Sequence, residues 1–226
     1  MGKRHIVLDI ETVLDPAVPW QGDPDRFPPA PHWEVVCIGA MVFDDYRPVS
    51  LTAADGTERE QVERFARALR SRPTLVTWNG RGFDLPVLAA RAFRNAVPMP
   101  DYYAGRPHDY RYRFTFDAHL DLADVLCDHG AGGRGSLDAF AKLAGLPGKT
   151  GMDGSMVGEA WAAGRRDEVR RYCCQDVAQT AFCWLRFELL RGTLTPEEYE
   201  DADSALESFC ANDERVSELL ATREAA

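Results

Sequence analysis

The sequence predicts a mixed α/β domain, a sheet covered by helices, on three observations. Residues 5–10 form a short apolar run ending in acids, the pattern of a buried central strand. Strand and helix patterns then follow in the order three strands, helix, strand, helix, strand, and afterwards helices only. The chain has 226 residues, 45% of them hydrophobic, enough for one α/β domain with a sizeable core.

The first strand, 5–10, runs into Asp9-Ile10-Glu11. A loop over 15–32 carries Pro16, Pro19, Pro24, Pro28, Pro29 and Pro31, a density that neither a helix nor a central strand tolerates. So long a loop in a compact domain is usually functional or mobile. Strands are predicted over 35–43 and 47–51, with Asp44-Asp45 in the turn, and over 74–78. Helical spacing through Val62, Phe65, Ala66 and Leu69 marks 58–71 as a helix. The Asn79-Gly80-Arg81-Gly82 turn leads to a helix over 85–93, with Pro86 in its first turn, where proline is accepted. After an irregular stretch, 98–109, residues 110–117 alternate: Tyr110, Tyr112, Phe114 and Phe116 on one side, Arg111, Arg113, Thr115 and Asp117 on the other. That predicts a half-exposed fifth strand. Helices are predicted over 120–127, 136–144, 157–163, 167–191, 197–209 and 213–220. Ser136 is the expected N-cap and Gly145 the expected stop of the second of these.

Composition removes several classes. No apolar stretch approaches the length of a membrane span. The N-terminal run is too short for a signal-peptide core, and Ile6 stands where a myristoylation motif requires Ser or Thr. A cytoplasmic protein is the expectation. Cys37, Cys127, Cys173, Cys174, Cys183 and Cys210 form no Cys-x-x-Cys pair, which argues for reduced, buried thiols over a structural zinc site. The net charge is −10, but residues 196–226 hold ten acids and two arginines, a net of −8, leaving −2 for the rest. The expected division is therefore 1–195 as the main domain and 196–226 as an acidic helical appendage, which could dock on a basic protein partner.

Three motifs carry chemistry. Side chains alternate along a strand, so Asp9 and Glu11 share a face while Ile10 points away. Paired carboxylates on a buried strand repel, and a bound dication is the commonest offset. An acidic surface turn is the bland alternative. Asp84 follows a Gly-rich bend and Phe83 at the threshold of a helix, where an acid often merely caps. Tyr172 and Asp176 are four apart and share a helix face. Taken singly, each has a structural explanation. Gly148-Lys149-Thr150 mimics the end of a phosphate loop, but the glycine needed five residues earlier is Leu143.

Taken in order, Asp-x-Glu on a strand, Asn-x-x-x-Phe-Asp, then Tyr-x-x-x-Asp resemble the three motifs of the four-carboxylate 3′–5′ exonucleases, which include polymerase proofreading domains and ribonuclease D-like enzymes. Arg171 stands where the histidine branch has His, so the likeness is to the tyrosine (DEDDy) branch. It is nearest to bacterial exonucleases related to the proofreading domain of family B DNA polymerases. It runs over about 5–191, including Asp121-Leu122 and the segment from Ser136-Leu137-Asp138 to Gly148-Lys149. The resemblance implies a ribonuclease H-like mixed five-stranded sheet flanked by helices. It also implies two Mg²⁺ or Mn²⁺ ions and hydrolysis from the 3′ end of single-stranded nucleic acid, DNA more than RNA. In that scheme Asp9 bridges both ions, Glu11 and Asp176 hold the ion that activates water, and Asp84 reaches the second ion mainly through water. Tyr172 orients the attacking water.

A single-stranded end is commonly held by stacking on aromatic side chains. Candidates for substrate contact are Thr12, Asn79, Phe83, Tyr103 and Arg106, together with Trp20, Phe27 and Trp33 in the proline-rich loop and Tyr102 and His108 before the fifth strand. The alternative for the aromatics is that they pack their own loops. Two rival functions stand beside the enzyme: an inactive nucleic-acid-binding domain of the same fold, and an interaction protein acting through its acidic tail.

Overall fold

The computed structural model describes residues 3–133, 135–148, 151–221 and 223. Lys149 and Thr150, part of the matched segment, and Met1 and Gly2 lie outside the described residues. Five strands form one mixed sheet: β1 (Arg4–Leu14), β2 (Trp33–Asp44), β3 (Arg47–Ala53), β4 (Thr74–Thr77) and β5 (His119–Asp121), in the order β3-β2-β1-β4-β5. β1 runs antiparallel to β2 and parallel to β4. β2 and β3 are antiparallel, and β4 and β5 parallel. This is the five-stranded ribonuclease H-like sheet that the motifs imply.

Alternation along β1 assigns its two faces. Ile6, Leu8 and Ile10 enter the core beneath α1 (Glu58–Ala68) and α2 (Asp84–Arg94), with Val62, Phe65, Leu85 and Leu88. Val7 enters the opposite core, beneath α6 (Arg166–Leu190), with Val177, Ala181 and Trp184. Asp9 and Glu11 have the parity of Val7, so they face α6. Thr57 starts α1 with a capping box closed by Glu60. The expected helix over 58–71 ends as a 3₁₀ turn at Leu69–Ser71.

Three shorter helices complete the α6 side: α3 (Leu122–Leu126), α4 (Leu137–Leu143) and α5 (Val157–Ala162). Ser136 caps α4 by accepting the N–H of Ala139 at 3.2 Å, and Gly145 ends it with φ +78°. The final helix, α7 (Pro196–Ala211), begins where the appendage was expected to begin. Its inner face, Ala202, Leu206 and Cys210, is buried in the same cluster as Phe182 and Trp184 of α6. Arg215 then donates to the carbonyl of Leu51 on β3 at 2.9 Å.

Four expectations need correction. β1 does not close at Glu11 but continues to Leu14, because β2 pairs with it throughout, with a bulge between Glu11 and Thr12. Residues 110–117 are turns, not a strand. The short edge of β4 is taken by residues farther along the chain, Leu75–Thr77 pairing with His119–Asp121, and the alternating residues form turns before them. Tyr110 is instead buried, its hydroxyl donated to the carbonyl of Pro73 at 3.0 Å. Leu120 belongs to β5 and not to the following helix. Of the helix expected over 213–220, only a 3₁₀ turn, Ser217–Leu220, forms.

Leu206 has no exposed surface, so Leu206→Ala opens a cavity between α7 and α6. Urea unfolding is expected to show a loss of about 2–5 kcal/mol. An unchanged midpoint would mean that α7 contributes nothing to the core.

Candidate active site

The site lies where β1 outruns its parallel neighbour. β4 pairs with β1 only from His5 to Val7, so beyond Val7 that flank of β1 is open. The backbone N–H of Ile10, left without a strand there, donates to the carboxylate of Asp84. This bond ties the first turn of α2 to the middle of Asp9-Ile10-Glu11. On the other flank Asp9 pairs with Gly39 and Glu11 with Cys37.

A tight turn delivers Asp84. Asn79 adopts φ +60°, and the N–H of Gly82 returns to its carbonyl at 2.9 Å. Asp121, at the end of β5, accepts the N–H groups of Asn79 at 2.9 Å and Arg81 at 2.8 Å, so one carboxylate holds both limbs of the turn. Gly80 is required for contact: a Cβ there would stand 2.4 Å from Oγ1 of Thr77. That oxygen accepts the N–H of Gly80 at 3.2 Å and pairs with Nε2 of His119 at 2.8 Å. His119 is buried, which pushes its imidazole down to about 3 and keeps it neutral. It is a core histidine, held through Nε2 by Thr77.

Helix α6 closes the site. Gly39 makes this possible, because a Cβ there would lie 2.7 Å from Sγ of Cys173 and 3.0 Å from Cγ2 of Val177. Tyr172 and Asp176 face β1 together and their side chains hydrogen-bond, as their four-residue spacing predicts. Glu11, Asp84 and Tyr172 are 6%, 4% and 7% exposed, while Asp9 and Asp176 are half-buried.

The electrostatics are those of acids forced together. Burial raises the carboxyl of Asp9 well above its ordinary range, and Asp84 and Asp176 are the next largest causes. Glu11 is raised by burial, then by Asp9 and Asp176. Asp84 is pushed up to about 7 by burial, with N–H groups of its own residue and of Ile10 opposing, and Asp121 and Asp176 adding to the rise. Tyr172 is raised far above its ordinary value by burial, then by Asp176 and Glu11, so it stays a protonated phenol. The strongest charged neighbours of Asp9 and Glu11 are thus other acids. Clustered oxygen donors with a charge deficit suit a hard dication such as Mg²⁺ or Mn²⁺. Donor atoms of Asp9, Glu11 and Cys173 also lie within 4.8 Å of one another, a set able to hold a metal.

The remaining candidates are more dispersed. Phe83, one residue before Asp84, meets the rings of Phe27 and Trp33 edge-on at 5.4 and 5.8 Å, and those two stack at 4.9 Å. Phe27 is 69% exposed. Trp20 packs against His32 within the proline-rich loop. Asn79 lines a cavity of about 370 Å³ with Trp78, Arg113, Asp124 and His129. Thr12 follows Glu11 across the bulge and is half-buried. Tyr103 and Arg106 make contacts local to 98–117: Arg111 covers the ring of Tyr103, and Arg106 that of Tyr112. Tyr102 is buried, and His108 meets the carbonyl of Pro73 at 3.3 Å. Sequence reasoning missed the turn-holding role of Asp121, whose one local sign is its position as N-cap of α3. It also missed Cys173 beside Asp9, for which no local sign exists.

Residues 25–223 match the model of a family described as predicted 3′–5′ exonucleases related to the exonuclease domain of PolB. The chain belongs to this family. The matched segment runs through α7. The fold is similar to that of the family B DNA polymerase from the hyperthermophilic archaeon Pyrobaculum calidifontis, with a TM-score of 0.59 and 19% identity over 92% of this chain and 29% of the polymerase. It is also similar to a product-bound exonuclease I, with a TM-score of 0.50 and 14% identity over 89% of this chain and 46% of that one. The chain thus spans less than half the length of either. A search of curated proteins gave no match. Among the described residues, no helix is long and apolar enough to cross a membrane.

The acid cluster sets a pH dependence for the metal-free protein. Asp84 has a folded value of about 7 against an ordinary 3.8, so the fold favours its protonated form. The stability this allows is full below about pH 4 and is lost as pH rises through about 7. In chelator, Asp84→Asn is therefore expected to raise the thermal midpoint at about pH 8 and to change it little at about pH 4. Equal shifts at both would show that Asp84 ionises freely.

Proposed function

We propose that this chain hydrolyses phosphodiester bonds from the 3′ end of single-stranded nucleic acid, using two Mg²⁺ or Mn²⁺ ions held by Asp9, Glu11, Asp84 and Asp176. The observation that carries the reading is the meeting of four acids from β1, α2 and α6 beside a phenol bonded to one of them. The inactive-domain rival is disfavoured because this set is complete. DNA is preferred to RNA because the family description points to the exonuclease domain of PolB.

When bound, such a pair of ions activates water and neutralises charge on the leaving 3′-oxygen. The protein's own part is geometric. In this reading Asp9 would serve both ions, Glu11 and Asp176 would hold the ion on the water side, and Asp84 would hold the other. Tyr172 keeps its proton at neutral pH and is no base; with its O–H given to Asp176, its oxygen would accept a hydrogen bond from the attacking water and so place it. Phe83, backed by Phe27 and Trp33, offers an aromatic surface to the terminal base one residue from Asp84. In this reading Thr12, next to Glu11, and Asn79, in the turn before Asp84, would contact the terminal nucleotide. Tyr103 and Arg106 would meet the strand farther from its end.

End-labelled DNA and RNA strands, with and without Mg²⁺ or Mn²⁺, test the proposal. Shortening from the 3′ end is expected only with metal, and faster on DNA. Asp9→Ala should abolish it with the fold intact by circular dichroism. Tyr172→Phe should lower kcat by roughly a hundredfold, the cost of a misplaced reactant, while Mn²⁺ binding persists. Metal-independent trimming, or full activity in Asp9→Ala, would refute the assignment.

A further inference from the structure

Sulfur lies directly behind the carboxylates. Sγ of Cys173 on α6 is 3.7 Å from both the carbonyl oxygen and Oδ2 of Asp9. Cys37, opposite Glu11 on β2, hydrogen-bonds with Cys173, and both are fully buried. The absent side chain of Gly39 leaves the space in which the Cys173 thiol sits. Cys183 and Cys210, by contrast, are packed in the apolar core beneath α6 and α7.

Bonds of about 2.0–2.3 Å let one ion join donors up to about 4.6 Å apart. Asp9, Glu11 and Cys173, with donor atoms within 4.8 Å of one another, need only small side-chain movements to share one. A hard ion has no use for the thiol. A thiophilic ion such as Zn²⁺ or Cd²⁺ takes it as thiolate, the proton leaving to solvent, and binds mixed oxygen and sulfur donors more tightly than Mn²⁺ does. Cys37 then accepts the role of neighbour to the thiolate, its S–H available as donor.

We infer that the pocket has a second, sulfur-bearing mode, in which Cys173 with Asp9 and Glu11 captures a thiophilic dication that displaces the hard ions and halts hydrolysis. The inhibitory half of this statement rests on the function proposed above; the binding half does not.

Cd²⁺ added to the full chain is the test. Thiolate-to-cadmium charge-transfer absorbance is expected to saturate at one ion per chain. Cd²⁺ should also free bound Mn²⁺, read as recovery of the paramagnetic signal of aqueous Mn²⁺. Cys173→Ser should lose the absorbance and weaken Cd²⁺ binding by about tenfold or more while holding Mn²⁺ as before, and Cys210→Ser should change neither. Absorbance retained in Cys173→Ser, or Mn²⁺ left in place by saturating Cd²⁺, overturns the inference. Should Cys173→Ser fail to fold, Asp9→Asn decides: undiminished Cd²⁺ binding there is equally fatal. A chain that binds Cd²⁺ through Cys173 but shows no metal-dependent trimming would sink the proposed function and leave the sulfur site standing.

Discussion

Helix α6 lies close against β1 and β2 where residue 39 has no side chain. A single methyl there would stand 2.7 Å from the sulfur of Cys173. The close approach puts Tyr172 and Asp176 over Asp9 and Glu11, and it is also what draws the carboxylates into mutual repulsion. The apolar stripe that continues along α6, through Val177, Ala181 and Trp184, supplies the burial that opposes this repulsion. The strain of the site is thus met by a seam of ordinary hydrophobic packing that runs away from it.

The opposite wall depends on strand length. Because β4 ends early, β1 presents an unpaired backbone N–H at Ile10 just where two acidic side chains point the other way. Asp84 takes that N–H. Its own position is set by a turn whose N–H groups both go to Asp121. Three strands and two helices therefore meet at one short piece of chain. An acid of this set is costly to leave charged and alone, which is the physical reason such a cluster suits a dication.

Charge on the rest of the molecule is arranged compatibly with a polyanion. Most of the net negative charge is carried beyond residue 195. The helix that bears it turns its apolar face into the core and its acids outward. An acidic composition and a nucleic-acid partner need not conflict when the charge is confined to one helix and its flank.

The sequence by itself determined which side chains act together locally. Period two put Asp9 and Glu11 on one face, and a four-residue step put Tyr172 beside Asp176, because both rules follow from backbone geometry within one element. It determined the element order and, through the spacing of its motifs, the family. Only the tertiary structure decided the rest. The alternation over 110–117 was a false strand, since a strand requires a partner edge and β4 had already given its edge to His119–Asp121. That Asp84 bonds to Ile10, that Asp121 holds the turn, and that Cys173 lies against Asp9 are contacts between residues 40 to 164 positions apart. No local pattern encodes such contacts, because they arise only when separate elements are packed to the distance that their side chains, or the lack of one at Gly39, permit.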